Sequence, residues 1–306
     1  MKLTTARTRA QCNRLLLQWY RRNGRALPWR TTRNPYRILV SEIMLQQTQV
    51  KRVLAKYPKF LRRFPTLSAL ARSRQRDVVL AWQGMGYNNR AVRLHRLAVI
   101  VVRQYKGRLP ADEQLLRSLP GIGKYTARAV LGTVFRQDMA AVDINAHRVL
   151  SRMFWKMHST TQLQTENSVW TLAESLLPPG RAYQWNQALM DLGATVCTAR
   201  QARCSACPLC TLCRSQGRMT TMRLTRKRTE PTLDGIPNRI YRGRIVNALR
   251  QSRGTVRLAD IGKTVHNRFS RKHHEWLQSL VATLEKDGLV KVRGRQSFGS
   301  RRLSLA

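Results

Sequence analysis

CTARQARCSACPLCTLC, residues 197–213, holds five cysteines in seventeen residues, while the other 289 hold one, Cys12. Such a cluster implies disulfides, a zinc site or an iron–sulfur cluster. Disulfides are disfavoured, because no apolar stretch of a secretory signal follows MKLTTARTRAQCNR and a chain kept inside the cell has reduced thiols. Two ligand sets can be drawn for a metal. Cys197, Cys204, Cys207 and Cys213 read C-x6-C-x2-C-x5-C, whereas Cys204, Cys207, Cys210 and Cys213 read C-x2-C-x2-C-x2-C. Zinc with four thiolates usually takes two C-x2-C pairs separated by a longer spacer. One tight loop supplying every ligand suits an iron–sulfur cluster better.

Acids are the second chemical signal, since fifteen stand against 57 lysines and arginines. Glu42 lies in ILVSEIMLQQTQV and Asp143 in AAVDINAHRVL. A charge in an apolar setting costs several kcal/mol unless it is paired or used. Burial raises a carboxyl pKa, which suits a general acid near neutrality. Two carboxylates flanking a glycosidic bond are the equipment of glycoside cleavage. The plainer alternative is a helix cap or an arginine pair; Asp143 before I-N-A-H has the form of an N-cap. Asp191 in ALMDLGA meets the same criterion and reads as structural.

A third motif, LPGIGKYT (residues 119–126), places two glycines around one apolar residue directly before a helix. Glycine permits the tight turn, and the helix N-terminus behind it offers backbone N–H groups to an anion. A net charge of +42 and a pI near 11.7 point to a polyanion, with nucleic acid ahead of a membrane surface. No apolar run is long enough to span a membrane.

The elements that must position these groups are helices. From about residue 8 to 215 the apolar residues recur at three- and four-residue spacing, as in DVVLAWQGMG and RAVRLHRLAVIVVRQYKG. Residues 216–237 lose periodicity and gain charge and threonine, and read as a basic linker. Residues 238–306 read as helix, short strand, helix, helix, then a strand–glycine turn–strand, which is the order of a winged helix. Such a domain would add nonspecific DNA affinity through the arginines of RGRQSFGSRR (residues 293–302).

Taken together, LPWR (27–30), PYRILVSEIMLQQTQV (35–50), WQGMGY (82–87), LPGIGKYTARAVL (119–131), VDINAHRVLSR (142–152), WNQALMDLGATVC (185–197) and the wider cysteine spacing resemble the adenine DNA glycosylases of the MutY type. These belong to the helix–hairpin–helix, endonuclease III-like superfamily. The resemblance covers residues 8–215 and implies a mainly α, two-lobed fold with DNA and an extruded base between the lobes. It implies a six-helix barrel at about 31–138 and a cluster lobe of 1–30 with 139–215. It implies a [4Fe–4S] cluster on Cys197, Cys204, Cys207 and Cys213, with Cys210 spare and Arg200, Arg203 and Arg214 turned outward to DNA.

Carried over by position, Glu42 protonates the adenine, and Asp143 stabilises or attacks the sugar cation, with Tyr125 and Asn145 completing the catalytic set. Gln187 contacts the extruded base, and Tyr87 wedges into the stack beside Gln46 and Gln47. Arg30, Gly121, Gly123 and Lys124 also fall on the DNA side. The implied activity is monofunctional hydrolysis of adenine opposite 8-oxoguanine or guanine, by a cytoplasmic, nucleoid-associated monomer acting on double-stranded DNA. The chain departs from the pattern in several places. Tyr125 stands where the lyases of the superfamily have lysine, and thymine-excising relatives share that tyrosine. Asn88 replaces a second aromatic, Ile144 replaces a glycine, and 238–306 does not resemble the usual Nudix-like lesion-reading domain. A glycosylase for thymine or uracil opposite guanine, or a non-catalytic cluster-containing DNA-binding protein, are the rival readings.

Overall fold

The computed structural model describes residues 5–155, 164–217, 230–252, 254–294 and 297–306. The expected linker therefore lies largely outside the described residues, as do two positions of the expected wing. The chain divides into two compact units. One comprises Met1–Leu39, Pro110–Ser118 and Ile122–Lys227; the other comprises Val40–Leu109, Leu119–Gly121 and Arg228–Ala306. Among the described residues no helix is long and apolar enough to cross a membrane.

The first unit is helical. Helix α1 spans Ala6–Asn23, and α2 (Pro35–Leu45) runs across the division between the units. After the second unit's α3 (Val50–Arg63), α4 (Leu67–Arg72), α5 (Gln75–Ala81) and α6 (Asn89–Gln104), the chain returns with α7 (Glu113–Ser118), α8 (Lys124–Val134), α9 (Ile144–Phe154), α10 (Glu166–Leu176) and α11 (Ala182–Thr195). Its core joins Leu16 and Leu17 of α1 to Val149, Leu150 and Met153 of α9 and to Trp185, Leu189 and Leu192 of α11. Polar locks fix α1: Trp185 Nε1 donates to Asn13 Oδ1 (2.8 Å), and Asn13 Nδ2 donates to the Leu176 carbonyl (2.8 Å). Between α7 and α8 the backbone turns through Gly121 at φ +85°, a left-handed conformation that glycine adopts without strain.

In the second unit, Trp82 packs edge-on against Phe60, and Val53, Leu70, Leu94 and Leu97 are fully buried. The C-terminal elements begin with a hairpin, β1 (Thr232–Leu233) and β2 (Ile236–Pro237), turned by Asp234 (φ +49°) and Gly235 (φ +72°). Two successive positive φ values make the tight hairpin turn that Asp-Gly favours. This hairpin falls inside the stretch read from sequence as linker. It is followed by α12 (Asn238–Gln251), β3 (Val256–Arg257), α13 (Leu258–Val265), α14 (His274–Lys286), β4 (Val290–Arg293) and β5 (Arg302–Leu305). The antiparallel sheet order is β3-β5-β4. Three helices with the first strand inserted after the first helix, and a two-stranded wing at the end, reproduce the expected winged-helix order.

Candidate active site and cysteine cluster

In the second unit, Glu42 is buried on the apolar helix α2 beside Ile43, Met44 and Leu39. Just beyond the helix, Gln47 takes φ +53° and is exposed, while Gln46 Nε2 donates to the Gly121 carbonyl (3.1 Å). That bond joins the Gln-Gln turn to the glycine hairpin. Tyr87 follows Gly84 (φ +85°) and Gly86 (φ +71°), and itself has φ +43°. It is 50% exposed, whereas Met85 is core at 2%. A large aromatic held outward on a strained backbone is a feature that packing alone does not explain.

Arg90, which sequence reasoning missed, binds these loops together. Its Nη1 donates to the carbonyls of Ile43 (2.9 Å), Met44 (2.9 Å) and Gln46; its Nη2 donates to Thr48 Oγ1 (2.8 Å) and to the carbonyls of Met85 and Gly86 (both 3.1 Å). The Ile43 and Met44 carbonyls lie at the C-terminal end of α2, where the helix dipole favours a cation. Burial lowers the Arg90 pKa to about 10, with Tyr87 acting in the opposite direction.

In the first unit, Asp143 caps α9. Its Oδ1 accepts from the Ala146 N–H and its Oδ2 from Asn145 Nδ2, both at 2.7 Å. Capping and a fixed, half-buried carboxylate are therefore the same arrangement, and the cap does not exclude chemistry. Asn145 is held in turn by Arg148, whose Nη2 donates to Asn145 Oδ1 (2.8 Å) and the Gly193 carbonyl (2.6 Å) and whose Nε donates to the Cys197 carbonyl (2.9 Å). Burial lowers the Arg148 pKa. Asn186 fixes the segment leading into Asp143: it accepts from the Ala141 N–H and donates to the Met139 carbonyl, both at 3.0 Å.

Helix α11 carries much of this framework. Gly193 lets it approach α9 so closely that a Cβ there would lie 2.7 Å from Asn145 Cβ. Gln187 and Met190 share a face at i,i+3 spacing, and Tyr125 Oη donates to Met190 Sδ (3.5 Å). Asp191 is fully buried under Arg25 and Arg30, matching its structural reading. Arg30 donates from Nη1 and Nη2 to its two oxygens (2.8 Å each), and the Arg25 N–H and Nε add bonds of 2.9 and 2.7 Å. Burial alone would raise the Asp191 pKa, but the two arginines lower it. Arg30, expected on the DNA side, has its guanidinium engaged on this inner carboxylate. Lys124 opens α8 with its Nζ 4.3 Å from the centre of the Trp170 ring, and Gly123 before it is exposed, with open space around it.

All five clustered cysteines line one small apolar pocket, together with Arg152. Two short 3-10 turns, Cys204–Ala206 and Cys210–Leu212, set their spacing, and Cys197 pairs with Ala202 across a bridge. Cys197, Cys207 and Cys213 pack against the core. Burial, reinforced by the neighbouring sulfurs, pushes the Cys207 thiol up to about 12 and raises Cys213 as well. Buried thiols that cannot ionise together on their own have the donor chemistry that a metal centre neutralises. Arg152 Nη1 donates to Cys197 Sγ (3.3 Å) and to the Thr198 carbonyl (2.8 Å). Among the described residues no three donors are drawn in to single-ion geometry, so the fit rests on this lining and its chemistry. Arg200, Arg203 and Arg214 are exposed around the pocket, as expected of a basic loop.

The family model described as "HhH-GPD superfamily base excision DNA repair protein" matches residues 40–175. The adenine DNA glycosylase of Mycobacterium tuberculosis is 46% identical over 193 residues, covering 62% of this chain and 62% of that protein. The adenine DNA glycosylase of Homo sapiens is 39% identical over 67% of this chain and 39% of its own length. The chain thus spans less than two thirds of the length of these relatives. A thermostable thymine-DNA glycosylase is similar in structure, with a TM-score of 0.63 and 32% identity over 68% of this chain and 96% of that one. An endonuclease III–DNA complex shares the fold, with a TM-score of 0.58 at 22% identity over 68% of this chain and 95% of that one. The matched family model, together with 32% identity to a structure of which the chain covers 96%, shows that the chain belongs to the helix–hairpin–helix superfamily of base excision DNA repair proteins.

Proposed function

We propose that the chain is a monofunctional DNA N-glycosylase that removes adenine mispaired with 8-oxoguanine or guanine. The observation that carries this reading is the Asp143 carboxylate, immobilised by the Asn145 amide and the Ala146 N–H at a helix N-terminus. A carboxylate so held is fixed in direction, ready to oppose positive charge on a sugar. Glu42, buried on an apolar helix, is suited to deliver a proton to a ring nitrogen of the base. The glycosidic bond breaks with its electron pair leaving on the protonated adenine. Asp143 balances the sugar cation or bonds to it transiently, and water supplies the hydroxyl that ends on the anomeric carbon.

Tyr125 in place of a lysine provides no amine for a Schiff base, so the strand is left intact. Tyr87 enters the base stack with Gln46 and Gln47 beside it, offsetting the few kcal/mol that extrusion costs. Gln187 lies on the face of α11 that also carries Met190, the neighbour of Tyr125, and contacts the extruded base. Gly121, Gly123 and Lys124 bring the hairpin backbone to a phosphate. Cys197, Cys204, Cys207 and Cys213 would hold a [4Fe–4S] cluster, which supplies structure to the basic loop and no step of the hydrolysis. Adenine follows from the 46% identity to an adenine glycosylase and from the SEIMLQQTQV stretch. Thymine opposite guanine is the second reading, supported by the 32% identity to a thymine glycosylase.

The test is a panel of duplexes carrying adenine, thymine or uracil opposite guanine, and adenine opposite 8-oxoguanine, developed with and without alkali. Adenine release cut only after alkali is expected, and Glu42→Gln should slow it by about 10²–10⁴-fold. Thymine release without adenine release, or a Glu42→Gln rate within threefold of wild type, refutes the assignment.

A further inference from the structure

Ile144 is 75% exposed, more than any other large apolar side chain among the described residues. It follows Asp143 directly and is the first residue of α9. Single exposed apolar side chains are ordinary on a protein surface, but neither the helix nor the core asks for this one. The first turn of a helix favours acids, and its first position favours proline. A β-branched side chain lowers helix propensity. The pattern that this chain resembles has glycine at the position, so the added bulk is its own.

Its neighbours on both sides are held fast. The Asp143 carboxylate accepts from the Ala146 N–H and from Asn145 Nδ2, both at 2.7 Å. Asn145 accepts from Arg148 Nη2 (2.8 Å) and lies so close to Gly193 of α11 that a Cβ there would come within 2.7 Å of its own. The backbone over 143–145 is therefore fixed, and an isoleucine in a helix keeps essentially one χ1 rotamer. The side chain is a preformed apolar surface with little freedom to lose when something covers it.

Sugar stereochemistry identifies what covers it. To balance the anomeric carbon, or bond to it, while the base departs, Asp143 must stand on the sugar face opposite the base. In a ribonucleotide that same face carries the 2′-hydroxyl, on the carbon next to the anomeric one; in a deoxyribonucleotide it carries only hydrogen there. Consecutive Cα atoms are about 3.8 Å apart, so a side chain on the residue after Asp143 reaches the region of that hydroxyl. Resting on the proposed role of Asp143, we infer that Ile144 is a sugar-selecting residue: it packs on the C2′ side of the target nucleotide and rejects one that bears a 2′-hydroxyl. Against C–H groups the contact is favourable. Against a hydroxyl it displaces water and supplies no hydrogen-bond partner.

The full-length chain is tested in two arms. The first measures Kd for duplexes that carry, opposite guanine, either a tetrahydrofuran residue or its 2′-hydroxylated counterpart, 1,4-anhydroribitol; neither has a base to excise. Wild type should bind the tetrahydrofuran duplex about 10- to 10²-fold more tightly. Ile144→Val should keep that ratio, Ile144→Ala should bring it toward one, and Ile144→Ser, which offers the hydroxyl a partner, should bring it to about one. The side chain is exposed, so these variants should melt as wild type does. The second arm measures single-turnover release of adenine from deoxyadenosine and from riboadenosine opposite guanine. The 2′-hydroxyl withdraws electrons from the sugar cation in every variant, so the reading is the change in the ratio of rates: Ile144→Ala should raise the relative rate on riboadenosine by about tenfold. If no duplex loses adenine but the binding ratio falls from wild type to Ile144→Ala, the proposed activity fails and the sugar selection stands. A binding ratio that is the same in wild type and Ile144→Ala overturns the sugar selection whatever is excised. So does an equal weakening of both duplexes, which would make Ile144 a plain apolar contact with the DNA backbone.

Discussion

Replacing Arg90 by lysine should cost the second unit both stability and extrusion of the base. The guanidinium serves six acceptors on two loops: the carbonyls of Ile43, Met44, Gln46, Met85 and Gly86, and the Thr48 hydroxyl. The two terminal nitrogens share four N–H groups among these six acceptors, whereas an ammonium has three donors on one atom that cannot serve both loops, so the Met85 and Gly86 carbonyls at least are left over. A buried acceptor without a partner costs about 1–3 kcal/mol. Some water will enter from the Tyr87 side, and a net loss of about 3–5 kcal/mol by urea denaturation is expected. That is survivable for a domain stable by about 5–15 kcal/mol. The functional effect should be larger than the folding effect at a temperature where the variant is fully native. Loss of the fork frees the Gln46–Gln47 turn from the Tyr87 loop, and misplacement by about 1 Å can cost 10²-fold in rate. Fluorescence of 2-aminopurine in place of the target base reports extrusion directly. A variant that is destabilised as stated yet extrudes and excises at the wild-type rate would refute the positioning role, because only the folding part of the argument would survive.

Four further outcomes follow. Gly193→Ala should lower stability by about 1–3 kcal/mol and reduce excision, because the new Cβ meets Asn145, the residue that holds Asp143; a melt and a rate measured together decide it. Asp191 has a depressed folded pKa, so its contribution is fully present above the unfolded value of about 3.9 and is lost as pH falls through the lower folded value; Asp191→Asn should flatten the acid limb of stability against pH. Cys197→Ser should lose iron and colour while Cys210→Ser keeps both, measured by iron assay and absorbance; stoichiometric zinc in place of iron, or the reverse ranking, would discard the wider ligand set. Borohydride should trap no covalent complex of the native chain on DNA, whereas Tyr125→Lys introduces an amine at which trapping becomes measurable.

What the sequence disclosed and what it hid divide along a physical line. Periodic apolar spacing in DVVLAWQGMG and RAVRLHRLAVIVVRQYKG is a local signal, and helices α5 and α6 form there, α5 ending at Ala81 and α6 at Gln104. The C-terminal strand–helix order was equally legible, since each element there carries its own pattern. The Asp234-Gly235 hairpin went unread because two-residue strands leave no alternation to detect, although its turn dipeptide was in plain view. Glu42 and Asp143 stood out because acids are scarce in this chain. The opposite holds for Arg30, Arg90, Arg148 and Arg152. Among 57 cations, a buried arginine looks like any other until its acceptors are known, and those acceptors lie up to 161 residues away in sequence. Arg148 and Arg152 at i,i+4 spacing among the apolar residues of AHRVLSRMF offered one clue, for two charges on the buried face of a helix need a shared reason. In the fold both turn toward the same residue, Arg148 on the Cys197 carbonyl and Arg152 on its sulfur. Asn145 accepts from the first of them and donates to Asp143. The carboxylate and the cysteine pocket, two motifs that the sequence presents more than fifty residues apart, are therefore one hydrogen-bonded structure, and a substitution at either arginine should disturb both ends of it.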